Sequence, residues 1–241
     1  MCSKIIKLQN IDSTHEFAIR LIENNQAMEC AIIAENQTNG IGRCERSWIS
    51  SRGNLFTSII RNFSRKEDLG QLSLTVACAV HDVIADYIKK DLYLHWPNDV
   101  HYKKSKIAGI LITVINDWII ISIGMNVNSA PDIVGAVSLV DICKFQSISV
   151  EQILESILIK LKKWLDNLHN LGFLHIKHYW LRYINEINRK IIIRNGSDSL
   201  AGIFRGIDDS GKLILELNGR NLLISSGDMF LNTKGITVNH E

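Results

Sequence analysis

Two apolar runs, KIAGILITVI at 106–115 and WIIISIGMNV at 118–127, are separated only by Asn116-Asp117. A two-residue connection between such runs predicts a β-hairpin, although Asn-Asp signals one less strongly than Asn-Gly does. The pairing commits the chain to a sheet, and the flanking segments decide what covers it. EFAIRLIENN (16–25) has helical spacing of apolar residues behind Asp12-Ser13-Thr14, which supplies N-cap side chains. CAIIAENQ (30–37) predicts a buried strand and NLFTSIIRNF (54–63) another. The stretch 67–90 predicts a long helix with Leu72, Val76, Ala79, Val80 and Val83 on its apolar face, and two further helices are predicted at 150–168 and 174–187.

After Ile187 the pattern changes. Short β-rich runs (KIIIRN, LAGIFRGI, KLILEL, NLLIS, DMFL) are punctuated by Asn195-Gly196, Ser210-Gly211, Asn218-Gly219 and Ser226-Gly227. This spacing predicts a small β-barrel or meander of SH3-like size, with a domain boundary that divides the chain into 1–187 and 188–241. A chain of 241 residues that is 46% hydrophobic and 22% charged can bury a core of this extent. Its net charge of +2 gives no field that argues for nucleic acid, so any basic site must be local. The N-terminus lacks the apolar core of a signal peptide and no apolar stretch is long enough to span a bilayer, so a cytoplasmic protein with no membrane partner is expected. The five cysteines (Cys2, Cys30, Cys44, Cys78, Cys143) are odd in number and lack a C-x-x-C pair, which suggests neither a disulfide framework nor zinc. Most are expected to be buried thiols; Cys44, between two arginines, is the exception.

Four polar segments fall at strand starts or ends. NGIGRCERSW (39–48) sets glycines, which turn backbone N–H groups toward a ligand, beside Arg43 and Arg46, whose forks suit carboxylate or phosphate. It is not a dinucleotide fingerprint, because Glu45 stands at the third glycine of G-x-G-x-x-G, and no P-loop occurs in the chain. LHWPNDV (94–100) offers Asn98 and Asp99 after Pro97, SKIAGIL (105–111) offers Lys106, and SIGMNVN (122–128) offers Asn126. Each alone is compatible with a turn, a solvated strand end or a strand-terminating amide.

Together, GIGRCERSW, HWPNDV, KIAGIL and GMN, in this order and spacing, resemble the biotin protein ligases (biotin–[acetyl-CoA-carboxylase] ligases) over nearly the whole chain. The resemblance implies an α/β (α+β) fold: a mixed-sheet, biotin/lipoate-ligase-like catalytic domain followed by an SH3-like β-barrel. It also implies the short form without an N-terminal DNA-binding domain, hence no DNA partner, because the catalytic pattern begins almost at residue 1. ATP and biotin are the implied substrates, with Mg²⁺ accompanying ATP. The implied protein partner is a biotin carboxyl carrier protein, an acetyl-CoA carboxylase subunit or similar carboxylase carrier domain. A second copy could pair through exposed sheet edges, which would give a homodimer.

The implied chemistry joins two anions, so the site must supply positive charge and positioning. By resemblance, Lys106 lies between the biotin carboxylate and the α-phosphate, and Arg43 and Arg46 hold the phosphates and the adenylate. Ser13, Thr14, Gln37 and Gly40, with Arg43 and Lys106, match the biotin contacts. Trp48, Asn98, Asp99 and Asn126 match the ATP and adenylate side, with Asp99 the carboxylate nominated near Mg²⁺. Four positions depart from the family pattern: Ile41 replaces an arginine, Glu45 a glycine, His95 a lysine, and His15 an asparagine. Two alternatives remain open: a lipoate-attaching ligase or transferase, and a non-catalytic biotin-binding regulatory module.

Overall fold

The predicted hairpin is the centre of the molecule, a computed structural model that describes residues 4–63 and 68–231. Strands β6 (Ser105–Ile115) and β7 (Trp118–Met125) pair antiparallel from Ala108 opposite Met125 to Ile115 opposite Trp118, and Asn116 takes a left-handed φ of 54° in the connection. Strands β1 (Lys4–Ile11), β2 (Cys30–Gln37), β3 (Leu55–Asn62), β4 (Leu92–His95) and β5 (Asp99–Tyr102) extend it into a seven-stranded sheet ordered β1-β2-β3-β7-β6-β5-β4. Only β1 and β2 run parallel, so the sheet is mixed as expected.

Alternation along β2 sends neighbouring side chains to opposite faces. Ile32 packs with Ile60 and Ile120 under Ala18 and Ile22 of α1 (Thr14–Glu23), which Ser13 caps. Ile33 joins Ile59 and Ile121 in the larger core beneath α2 (Leu69–Tyr87), α4 (Val150–Leu171) and α5 (Phe173–Arg182). The five residues predicted for the apolar face of α2 are all buried. Strand β1 and the short helix α3 (Leu139–Cys143) were not expected from the sequence. The helix expected to reach Ile187 stops at Arg182, because the next carbonyl, that of Tyr183, accepts from Leu94 N–H at 2.8 Å on the outer edge of β4 instead of continuing the helical ladder.

The remaining strands, β8 (Lys190–Asn195), β9 (Asp198–Ile207), β10 (Leu213–Leu217), β11 (Arg220–Ile224) and β12 (Asp228–Leu231), form an antiparallel sheet ordered β11-β10-β9-β8-β12. This is the meander of the expectation with β12 added beyond β8; among the described residues β11 and β12 do not pair to close a barrel. The two sheets share one apolar core, in which Ile191, Phe204 and Leu213 join Leu94 and Trp180. Polar contacts fasten them as well. Trp96 Nε1 donates to Gly211 O at 3.1 Å, and His95 Nε2 lies 3.0 Å from Met229 O.

Among the described residues no helix is long and apolar enough to cross a membrane. Cys30 and Cys78 are buried, Cys143 is partly buried and Cys44 is exposed, all as free thiols; Cys2 lies outside the described residues.

Candidate active site

A cavity of about 820 Å³ opens where the ends of β2 and β7 and the start of β6 meet the 40–48 loop and β12. Ser13, Thr14, Gln37, Arg43, Arg46, Trp48, Asn98, Asp99, Lys106 and Asn126 all line it. Gly40 does not face it but stands behind it: a Cβ there would come within 2.5 Å of Trp48 O and 2.9 Å of Gln37 Nε2. Its lack of a side chain lets β2 and the loop approach.

One end is neutral and polar. Gln37 Oε1 accepts from Thr14 N–H at 2.8 Å and from the Thr14 hydroxyl at 3.1 Å, and Gln37 Nε2 donates to Ser50 Oγ. Ser58 donates to Thr14 Oγ1 at 2.9 Å, Ser58 and Ser122 are 2.8 Å apart, and His15 Nδ1 is 2.8 Å from Ser122 Oγ. Burial pushes the His15 imidazole down to about 4, so it is neutral near pH 7. Sequence reading had Ser13, Thr14 and Gln37 but not Ser58, Ser122 or a role for His15. The only signal was a serine inside each of two largely apolar runs, LFTSII and IIISIG, the first also carrying Thr57.

The other end is charged. Lys106 Nζ is 2.7 Å from Asp99 Oδ2 and 5.4 Å from the Trp48 ring centre. Burial opposes ionisation of Asp99, but the Lys106 ammonium and His101 outweigh it and hold the carboxyl well below the usual carboxylate range. Asp99 Oδ1 is buried without a partner. Trp48 lies over Gly109 and Gly124, where any Cβ would meet its ring at 3.1 and 2.5 Å respectively, so the indole is seated by two glycines. Asn98 passes its amide N–H to Ile110 O and accepts Arg43 Nη1 at 3.0 Å. Asn126 is buried, with its backbone held between Ile107 and Leu139.

Both arginines also reach the second sheet: Arg43 donates to Gly227 O at 3.4 Å, and Arg46 Nη2 lies 2.8 Å from Asp228 Oδ1. Nothing local in the sequence announces this contribution of 227–228. The loop itself is folded back by Gly42 N–H on Arg46 O and Trp48 N–H on Gly40 O, so one of the glycine N–H groups that could turn toward a ligand is already used within the loop. Cys44 and Glu45 both take left-handed φ, 52° and 58°. Beneath, His95 is held between Met229 O and Glu186 Oε1 at 3.3 Å. Burial would lower its pKa, but Glu186 and Asp99 raise it overall.

Residues 8–128 match the biotin/lipoate A/B protein ligase family, and residues 187–232 match the biotin protein ligase C-terminal domain. The chain is similar to the biotin–[acetyl-CoA-carboxylase] ligase of Paracoccus denitrificans, with 30% identity over 92% of this chain and 98% of that one. It is similar to the enzyme of the same name from Mycobacterium tuberculosis, with 32% identity over 82% and 77%. Among solved structures it resembles the biotin protein ligase of Aquifex aeolicus in complex with biotin and ATP, with a TM-score of 0.85 and 26% identity over 96% of this chain and 99% of that one. The chain therefore belongs to the biotin protein ligases of the biotin/lipoate A/B protein ligase family.

Proposed function

We infer that this protein is an ATP-dependent ligase that activates biotin and attaches it to a lysine of a carboxylase carrier domain. A biotin carboxylate oxygen attacks the α-phosphorus of ATP, the bond to the β-phosphate breaks, and pyrophosphate leaves. The lysine amine then attacks the carbonyl carbon of the mixed anhydride, AMP departs, and the amine proton passes to solvent. The observation that carries this reading is one cavity with a neutral, hydrogen-bonding end for a ureido ring and a Lys106–Arg43–Arg46 end for anions.

The roles follow from chemistry. Lys106 exchanges Asp99 for the substrate carboxylate and α-phosphate, and one ammonium screens both sides of the forming bond. Arg43 and Arg46 exchange Gly227 O and Asp228 for phosphate oxygens, for which a guanidinium fork is suited. Trp48 offers the adenine a face and Asn98 and Asn126 offer amides. Ser13, Thr14 and Gln37 hold the ureido ring, with Gly40 giving Gln37 its place. No three His, Cys, Asp or Glu side chains group as a metal site among the described residues, and Asp99 is already neutralised by Lys106. Protein ligands alone therefore make a poor Mg²⁺ site; an ion arriving with ATP would rely on phosphate and water oxygens and would neutralise phosphate charge, with Asp99 the one carboxylate here that could assist if freed from Lys106. In this reading residues 188–241 serve the site of residues 1–187, since Gly227 and Asp228 hold Arg43 and Arg46.

The test is mass spectrometry of a biotin carboxyl carrier domain incubated with this protein, ATP and either biotin or lipoate. A biotin-sized mass gain on one lysine supports the reading, and a lipoyl gain assigns the other acid. Biotin binding with no pyrophosphate release would make the protein a binding module.

A further inference from the structure

The hydrogen bonds at the neutral end have one allowed direction, and working it out assigns His15. Thr14 N–H fixes Gln37 Oε1 as the facing atom, because the amide nitrogen of Gln37 could not accept it. The Thr14 hydroxyl, 3.1 Å from the same oxygen, must therefore give its hydrogen to Gln37. Ser58 must then donate to Thr14, and, having spent its hydrogen, must accept from Ser122. Ser122 has nothing left to give, so the 2.8 Å contact to His15 requires Nδ1 to carry the proton. His15 Nε2 is left bare and accepts from Thr113 Oγ1 at 3.1 Å. The chain also continues outward: Gln37 Nε2 donates to Ser50 Oγ and Ser50 to Trp48 O at 3.2 Å, joining the interior to the 40–48 loop.

The direction has a chemical consequence. The hydrogens of Thr14, Ser58 and Ser122 are all consumed inside the protein, so toward a ligand the two that line the cavity, Thr14 and Ser122, present lone pairs only. Ser13, whose oxygen accepts the His15 and Glu16 amides as an N-cap, keeps a free hydrogen. We propose that His15 is a positioning residue that, as its Nδ1–H tautomer, completes the chain whose direction Gln37 sets: it holds Ser122 with its hydrogen on Ser58, so that Ser122 beside Thr14 faces the cavity as an acceptor and favours a substrate ring that donates N–H groups on that side. The ligand part rests on the biotin reading; the tautomer does not. Both ends of the chain are tied to groups that cannot flip, Gln37 by a backbone amide and His15 by burial against Thr113, so the acceptors are oriented before the ligand arrives. Asparagine, the usual residue here in the family pattern, has an amide N–H that can close the same chain.

Two measurements test this. Nitrogen-15 NMR of the ligand-free protein should show His15 with a protonated Nδ1 and a bare Nε2 at neutral pH; a protonated Nε2 with a bare Nδ1 overturns the proposal, because two serines 2.8 Å apart would then share no hydrogen. Calorimetry should then compare biotin with an analogue whose ureido N–H groups are replaced by oxygen, a cyclic carbonate. Wild type should prefer biotin, and His15→Leu should lose about tenfold or more in biotin affinity while changing carbonate binding and the KM for ATP little. His15→Asn should recover most of the loss, which separates positioning from damage to the fold. Equal weakening of biotin and carbonate by His15→Leu, or failure of His15→Asn to recover, overturns the proposal. Absence of biotin binding by wild type, with the NMR result as expected, would instead remove the substrate reading while the tautomer stood.

Discussion

At one end of the cavity Thr14, His15 and Ser122 are buried on helix α1 and strand β7, and each polar atom of their chain, which runs through Ser58 behind them, is satisfied within the protein. At the other, Arg46 is 56% exposed and Arg43 sits in a tight turn, both leaning on residues 227–228 of a different sheet. The contrast follows from what each end must hold. Neutral donors and acceptors can be buried and pre-oriented at little cost provided every one is paired. Unpaired buried cations cannot, so the charged end pairs with itself, through Lys106–Asp99 and Arg46–Asp228, and the proposed function has it exchange these partners for substrate. One end is a fixed mould and the other a set of charges awaiting a counter-anion.

The severest challenge to this contrast is Lys106→Ala, which removes the ammonium proposed to be shared between carboxylate and phosphate. Adenylation should slow about 10²–10³-fold, equivalent to about 2.7–4 kcal/mol of lost transition-state stabilisation, with biotin affinity little changed. Single-turnover formation of biotinyl-AMP measures it, and transfer from supplied biotinyl-AMP to the carrier domain provides the control. Loss in transfer alone would show that Lys106 serves the second step.

Acid tests the fixed end. His15 there, and His81 on α2 against Tyr179 away from the cavity, are both buried and pushed down to about 4 from 6.5. The unfolded chain therefore takes up these protons first, so the stability they contribute is complete above about pH 6.5 and is lost as pH falls toward 4. Each contributes on the order of 3 kcal/mol over that window. Urea unfolding between pH 6.5 and 4.5 should show His15→Asn losing less stability than wild type. Equal slopes would mean that His15 is not buried neutral.

Arg43→Gly addresses the exchangeable end. Losing a charged hydrogen-bonding group worth about 1.5–3 kcal/mol should speed release of biotinyl-AMP roughly 10–100-fold, and the free adenylate should label lysines of bystander proteins. Stopped-flow release reads it directly, and unchanged retention would leave Arg43 a purely structural tie to Asn98 and Gly227.

How far the sequence revealed the site divides along the same line. The charged end was legible because Arg43, Arg46, Asp99 and Lys106 fall in short polar motifs at strand ends, where side chains have few other reasons to be. Ser58 and Ser122 were hidden because one hydroxyl inside an apolar strand has no periodic signature, and its partner is 64 residues away. Gly227 and Asp228 were hidden for a different reason: they read as ordinary turn chemistry at the start of β12, and only the packing of the second sheet brings them to the arginines. Strand β1 escaped because it is a largely exposed edge strand without strict alternation. The hairpin of β6 and β7, the face of α2 and the change of pattern after Ile187 were legible because burial had written its period into them.

The smallest expected effect concerns Glu45, which takes φ 58° directly after Cys44 at 52°. A left-handed conformation costs a side-chain-bearing residue about 1–2 kcal/mol, and glycine, which the family pattern has here, about nothing. Glu45→Gly removes that strain but also frees the unfolded chain, by about 0.4–1 kcal/mol, so global stability should move little. The gain should appear in the loop alone, as slower amide exchange across 40–48 in the adenylate complex and a KM for ATP lowered about two- to fivefold. Glu45 is also an exposed negative charge near the expected phosphates, and its removal alone would help ATP by a salt-dependent amount. Asparagine tolerates the left-handed region whereas glutamine does not, so backbone strain predicts that Glu45→Gly and Glu45→Asn exceed Glu45→Gln. If all three variants lower the KM equally, and salt erases the gain, charge rather than conformation is what Glu45 changes in this loop.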